Sequence, residues 1–104
     1  WTRAIELDPS NHVFFSNRSA AYLSKGDAEK ALQDADKCIT LNSTWAKGYV
    51  RKGAALHKLR RYTDAVKAYN EGLTTSPGDA GLTRGLEDVS KAQEAARAAA
   101  GKLP

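Results

Sequence analysis

Three polar side chains, Asn17, Lys47 and Arg51, have the chemistry and the spacing to bind a carboxylate. Lys47 and Arg51 are four residues apart, so both project from one face of a helix. Arginine offers a planar fork to two oxygens, lysine a compact charge, and asparagine a neutral donor that also pairs with a peptide amide. The first interpretation is therefore a binding site for a carboxylate.

A plainer interpretation of the same residues stays open. Lysine and arginine on an exposed helix face are usually just solvated, and asparagine is a mediocre helix former. On this alternative, Asn17 hydrogen-bonds to a neighbouring backbone where two helices meet.

The residues that could support catalysis are not arranged for it. No Cys–His pair made from His12, His57 and Cys38 shares a predicted helix face. The sequence also lacks a glycine-rich phosphate loop, an HExxH motif and a carboxylate cluster with ligand spacing. Cys38 lies on the apolar stripe of a predicted helix, which favours a core position. We therefore expect no enzyme activity, no cofactor and no metal site.

The elements that carry these side chains repeat with a period of 34 residues. Segment 12–45 aligns with segment 46–79, and this length is typical of a helix–turn–helix repeat. The period places Asn17 and Arg51 at equivalent positions of two successive first helices. Apolar and small residues coincide in many aligned pairs, among them Phe15 with Tyr49, Ala20 with Ala54, Ala31 with Ala65 and Ile39 with Leu73.

Each unit divides into two helical patterns. The first halves, about 12–25 and 46–59, carry small residues that let helices approach closely, and the second halves carry an apolar stripe. Gly26 suits a left-handed helix end and Asp27 an N-cap for the next helix. The equivalent pair Arg60–Arg61 lacks both devices, so we expect a less well-defined turn there.

The repeat pattern predicts a single domain with four segments. They are the end of an incomplete first repeat at 1–11, a second repeat at 12–45, a third at 46–79, and a capping helix with a tail at 80–104. Trp1 aligns late in a second helix, so we expect an N-terminally truncated first repeat, an exposed apolar patch and self-association. The capping helix carries Leu82, Leu86, Val89 and Ala96 on one side, and its tail is expected to project or fray.

The 34-residue unit resembles the tetratricopeptide repeat family over residues 1 to about 79. The resemblance implies an all-α solenoid of antiparallel helix pairs. Two positions depart from the family pattern: Ser43 stands where proline is usual, and Ala35 where a large aromatic residue is usual. The matching signature positions are Tyr22, Gly26 and Ala31 in one unit and Tyr49, Gly53, Ala65, Tyr69 and Pro77 in the next.

Segments 11–27 and 45–56 look like the carboxylate-clamp subgroup, and most like the first repeat domain of Hop-type co-chaperones, the heat-shock organising proteins. That subgroup binds the acidic C-terminal tail, ending Glu-Glu-Val-Asp, of heat-shock chaperones. The resemblance implies that Asn17, Lys47 and Arg51 are clamp residues. Two further clamp residues of the family, a lysine and an asparagine, have no counterpart in this sequence. The groove residues implied for the tail's apolar side chain are Ala20, Leu23, His57 and Lys58.

The same likeness implies the seventy-kilodalton chaperone as the preferred partner. The alternative keeps the fold but attaches it to a phosphatase, a prolyl isomerase or a ubiquitin ligase that binds the ninety-kilodalton chaperone. A net charge of +4 fits acidic partners. It also leaves nucleic-acid binding through a basic face as a third hypothesis, which we do not favour.

Bulk composition points to the cytoplasm. No apolar run reaches the length of a membrane span, no signal-peptide pattern opens the chain, and Cys38 is the only cysteine. We therefore expect a cytoplasmic protein without membrane contact.

Overall fold

The computed structural model describes residues 11–101. Within these residues the chain is helical and contains no strand. Helix α1 packs on α2, α3 packs on both α2 and α4, and α5 covers α3 and α4. The predicted all-α fold of stacked helix pairs is confirmed. The helices are α1 (His12–Ser24), α2 (Ala28–Leu41), α3 (Ala46–Lys58), α4 (Tyr62–Thr75) and α5 (Ala80–Gly101).

None of the helices between residues 11 and 101 has the length and apolar character needed to cross a membrane.

The first two helices begin at side-chain caps. The Asn11 side chain accepts from the backbone N–H of Phe14 at 3.3 Å, and Asp27 accepts from that of Lys30 at 3.1 Å. These bonds satisfy amide donors that the first turn of a helix leaves free. Gly26, with a φ of 89°, closes α1 in the left-handed region as predicted.

The turn between α3 and α4 is as regular as the turn between α1 and α2. The backbone N–H of Arg60 donates to the backbone oxygen of His57 at 3.0 Å, and that of Arg61 to the backbone oxygen of Leu56 at 2.9 Å. The turn at Gly26 and Asp27 has the same two bonds, at 3.0 and 2.9 Å. The expectation of a less well-defined turn is therefore wrong. Arg60 adopts a left-handed φ of 62° in this turn. This conformation lets two carbonyls at the end of the helix accept hydrogen bonds.

The interior of the second helix pair contains the buried ring of Tyr69. Tyr69 is held between Gly53 and Gly85: a Cβ on Gly53 would lie 2.3 Å from the ring, and one on Gly85 2.4 Å. Burial, with a smaller contribution from Asp88, raises the pKa of Tyr69 to about 12. The buried core here comprises Tyr49, Leu56, Ala65, Ala68, Tyr69, Leu82 and Val89.

The interior of the first helix pair contains buried polar side chains as well as apolar ones. Arg18 donates to the carboxylate of buried Asp34 through Nε at 2.7 Å and through Nη2 at 2.8 Å. This hydrogen-bonded partner raises the pKa of Arg18, and burial opposes that rise. The hydroxyl of Ser19 donates to the backbone oxygen of Ala31 at 2.7 Å. Each of these buried polar groups therefore has a partner.

Helix α5 caps the exposed side of the second pair. Leu82 and Val89 are fully buried and Leu86 packs against the same core. Ala96 lies two turns beyond Val89 on the same helix and is exposed, so the buried part of this face ends before it. Residues 94–100 are all exposed, and the tail projects as predicted. The predictions for residues 1–10 lie outside the described residues, and self-association stays a prediction.

Candidate functional site

The three candidate binding residues lie on two neighbouring helices, α1 and α3. Asn17 and Lys47 are exposed, and Arg51 is half-buried. The Nε of Arg51 donates to the hydroxyl of Ser16 at 3.2 Å. Since Ser16 directly precedes Asn17, this bond brings the guanidinium of Arg51 beside α1 at the level of Asn17. Lys47 lies one turn before Arg51 on the same helix.

The charges of this surface are uncompensated. Among residues 11–101, neither Lys47 nor Arg51 takes part in an ion pair, and the Asn17 side chain makes no hydrogen bond. The alternative in which Asn17 bonds to a neighbouring backbone thus has no support in that range. Other cations of these helices do have acidic partners, as in the pairs Arg18–Asp34 and Lys52–Asp36. The surface is therefore able to accept an anion.

Cys38 lies beneath this surface as a core residue, as predicted from its place on the apolar stripe. Its side chain is fully buried. Burial raises the pKa of the Cys38 thiol to about 11, and the positive charge of Arg51 opposes that rise. The thiol is consequently protonated at neutral pH, which is the opposite of an activated nucleophile.

No group of His, Cys, Asp and Glu side chains in the described part of the chain is arranged to hold a metal ion.

The four remaining predicted contact residues are spread over the two helices. Ala20 and Leu23 are half-buried on α1. The His57 ring lies edge-on to the Tyr62 ring of α4, with 5.8 Å between centroids. Lys58 is exposed and lines an open pocket together with residues 25–29 of the first turn. The His57 ring therefore lies at the α3–α4 junction.

Ser16 is the residue that sequence reasoning missed. It is fully buried and bonded to Arg51. The sequence carried no direct signal for this bond, because the 34-residue period relates Ser16 to Val50 and not to Arg51.

The fold is shared with a solved tetratricopeptide repeat domain. The Sgt2 domain from Aspergillus fumigatus aligns with a TM-score of 0.88 and 31% identity, over 99% of this chain and 69% of that chain. The chain belongs to the tetratricopeptide repeat family. Family models with that description match residues 1–33 and 46–79.

Two further solved relatives were determined with peptides. The first repeat domain of Spaghetti (RPAP3), bound to the HSP90 peptide SRMEEVD, aligns with a TM-score of 0.81 and 31% identity, over 89% of this chain and 74% of that chain. The second domain of human RPAP3, in complex with the HSP70 peptide SGPTIEEVD, aligns with a TM-score of 0.79 and 28% identity, over 86% and 74%. Both peptides end in Glu-Glu-Val-Asp.

In sequence the chain is similar to much longer proteins. It is 50% identical over 101 residues to the heat shock protein sti1 homolog of Schizosaccharomyces pombe, which covers 97% of this chain and 17% of that protein. It is 45% identical over 86 residues to the Hsp70-Hsp90 organising protein of Plasmodium falciparum, covering 83% of this chain and 34% of that protein. The tetratricopeptide repeat chain thus spans a sixth to a third of the length of these relatives.

Proposed function

We propose that this chain is a co-chaperone adaptor domain that binds the acidic C-terminal tail of a heat-shock chaperone. Asn17, Lys47 and Arg51 act as a carboxylate clamp. The observation that carries the proposal is Arg51: it is half-buried, it is held beside Asn17 by Ser16, and it has no counter-ion among residues 11–101. A partly desolvated cation without an acidic partner gains most from an anionic ligand.

The three side chains divide the work of holding a peptide end. The two Nη groups of Arg51 are unengaged between residues 11 and 101, and they offer a fork for two carboxylate oxygens. Lys47 adds an exposed ammonium one turn away, and Asn17 offers an amide that pairs with the peptide backbone. Hydrogen bonds to charged groups contribute about 1.5–3 kcal/mol each.

The preferred partner is the seventy-kilodalton chaperone, and the ninety-kilodalton chaperone is the alternative. Support for either comes from the peptides held by the two RPAP3 domains, which share the ending Glu-Glu-Val-Asp. The names of the relatives support a link to both chaperones. The preference itself rests on the likeness of segments 11–27 and 45–56 to the first domain of Hop-type proteins. The domain works in the cytoplasm and catalyses no reaction.

A titration of the 104-residue chain with the peptide SGPTIEEVD tests the proposal. We expect Lys47→Ala or Arg51→Ala to weaken binding by about tenfold or more, because each removes a charge-assisted contact. Amidation of the peptide's C-terminus should weaken it comparably. Lys52→Ala is the matched control, since Lys52 lies on the same helix but pairs with Asp36 at 3.0 Å. The Lys52→Ala variant should bind the peptide with the same affinity as the wild type.

Two outcomes would contradict the clamp. One is binding that does not depend on the free carboxylate. The other is equal losses from Lys52→Ala and Arg51→Ala. Tight binding of single-stranded DNA with a steep salt dependence would favour the nucleic-acid hypothesis instead. Titration with SRMEEVD decides the partner preference: the seventy-kilodalton assignment requires weaker binding of this second peptide.

A further inference from the structure

A buried hydroxyl, that of Ser16, is committed to the guanidinium that the proposed ligand would contact. Ser16 is fully buried on α1, and its oxygen accepts from Arg51 Nε on α3 at 3.2 Å. We propose that Ser16 is a positioning residue for the clamp: it does not touch the ligand but fixes the plane in which Arg51 presents its two Nη groups. This inference rests on the proposed function of Arg51.

The chemistry of arginine explains why one hydrogen bond is enough. A guanidinium is planar, and its five N–H donors keep fixed directions relative to one another. Once Nε–H points at Ser16, the orientation of the guanidinium is restricted, and the edge that carries its two Nη groups remains available to a ligand. An arginine side chain without such a bond would lose its rotational freedom only when the ligand binds. That entropy cost would weaken the affinity. Ser16 imposes that order before the ligand arrives.

The fold itself does not require a hydroxyl at this position. The equivalent residue of the second helix pair, 34 positions later, is Val50, which is half-buried. The same backbone arrangement therefore accepts an apolar side chain there. The oxygen of Ser16 is explained by Arg51 rather than by the packing of α1.

Ser19 offers a matched comparison on the same helix. It is also buried, but its hydroxyl donates to the backbone oxygen of Ala31 at 2.7 Å, on the side that faces α2. Both serines are buried on α1 and each side chain makes one hydrogen bond within residues 11–101, yet of the two only Ser16 reaches a proposed binding residue. Replacing either serine by alanine removes one bond, and only one of the two replacements is expected to change affinity.

The experiment is a double-mutant cycle on the 104-residue chain with the peptide SGPTIEEVD. Ser16→Ala should weaken binding by about three- to tenfold, the value of one hydrogen bond. In the Arg51→Ala background the same change should have no effect, because Ser16 acts only through Arg51. Ser19→Ala should bind like the wild type while losing thermal stability. Equal effects of Ser16→Ala in both backgrounds, or an equal affinity loss in Ser19→Ala, would overturn the positioning role.

Nuclear magnetic resonance gives a second readout that a structural role would not move. The Arg51 Nε proton should exchange slowly with solvent in the wild type and in Ser19→Ala, and rapidly in Ser16→Ala. Fast exchange in the wild type would refute the bond itself.

Failure of this inference is distinguishable from failure of the clamp. If the wild-type chain does not bind the peptide, both proposals fall. If Arg51→Ala weakens binding and Ser16→Ala does not, the clamp stands and the positioning role falls.

Discussion

The interior between α1 and α2 contains a buried carboxylate beside its apolar residues, whereas the buried core between α3 and α4 is apolar and aromatic. In the first pair, Arg18 donates two hydrogen bonds to buried Asp34. At the positions 34 residues later, the second pair carries Lys52 and Ala68. Lys52 turns outward and pairs with Asp36 of α2 at 3.0 Å, so it connects the two pairs instead of filling one.

The two interiors also differ at a second pair of equivalent positions. In the second pair the ring of Tyr69 fills the space that Gly53 leaves open. In the first pair the equivalent residues are Ala35 and Ser19, so neither helix contributes a ring there. The two helix pairs therefore fill equivalent positions with different residues, and the buried polar groups of the first pair are hydrogen-bonded.

The largest effect is expected when only one partner of the Arg18–Asp34 ion pair is removed. Arg18→Leu leaves the carboxylate of Asp34 buried without a partner and should lower the free energy of unfolding by about 3 kcal/mol. Asp34→Ala, which copies the second pair, should cost only about 1–2 kcal/mol, because the partly exposed Arg18 side chain reaches water. Urea denaturation of both variants measures the difference.

The combined variant Arg18→Leu with Asp34→Ala sharpens the test. It removes both partners of the ion pair and leaves no buried charge, so it should recover most of the stability that Arg18→Leu loses. Losses that simply add in the double variant would show that the ion pair and the packing are independent, which contradicts the comparison.

A smaller effect is expected when Gly53 is replaced by serine, the residue type at the equivalent position of the first pair. Gly53→Ser would place a Cβ 2.3 Å from the Tyr69 ring, which Gly85 blocks from the other side. Overpacking of this kind should cost about 2 kcal/mol in urea denaturation. Gly78→Ser is the control, since a Cβ there meets nothing within 4 Å and stability should change little.

The Tyr69→Ala background shows whether the clash is the cause. With the ring removed, Gly53→Ser should no longer destabilise the chain. An unchanged penalty would mean that the serine acts on helix α3 itself.

The helices and their exposed faces could be predicted from the sequence because they depend on backbone periodicity. The predicted first helices, about 12–25 and 46–59, are observed as His12–Ser24 and Ala46–Lys58. Helical spacing also placed Lys47 and Arg51 on one surface, and the repeat period related Asn17 to it. These inferences need only the repeat length and the number of residues per turn.

The bonds between helices could not be predicted in the same way. Arg18 and Asp34 are 16 residues apart, and Ser16 and Arg51 are 35 apart. Neither separation is a property of a single helix, and each bond depends on how two helices cross and which rotamer the arginine takes. The regular turn at Arg60 was missed for a different reason: its hydrogen bonds belong to the backbone, which forms them despite the side chain.

That turn gives the smallest predicted effect. Arg60 has a φ of 62° where the first turn has Gly26 at 89°. A residue with a Cβ loses about 1–2 kcal/mol in this region. Glycine avoids that loss, although its more flexible unfolded chain takes back about 0.4–1 kcal/mol. Arg60→Gly should therefore raise the free energy of unfolding by roughly 0.5–1 kcal/mol in urea denaturation.

The reciprocal change at the first turn is its control. Gly26→Arg should destabilise the chain by a similar amount, because nothing lies within 4 Å of a Cβ there and only the backbone conformation opposes it. Opposite signs for the two variants would show that the turns differ only in the residue at the left-handed position. A loss of stability in Arg60→Gly would instead mean that the exposed Arg60 side chain makes a contribution larger than its backbone strain.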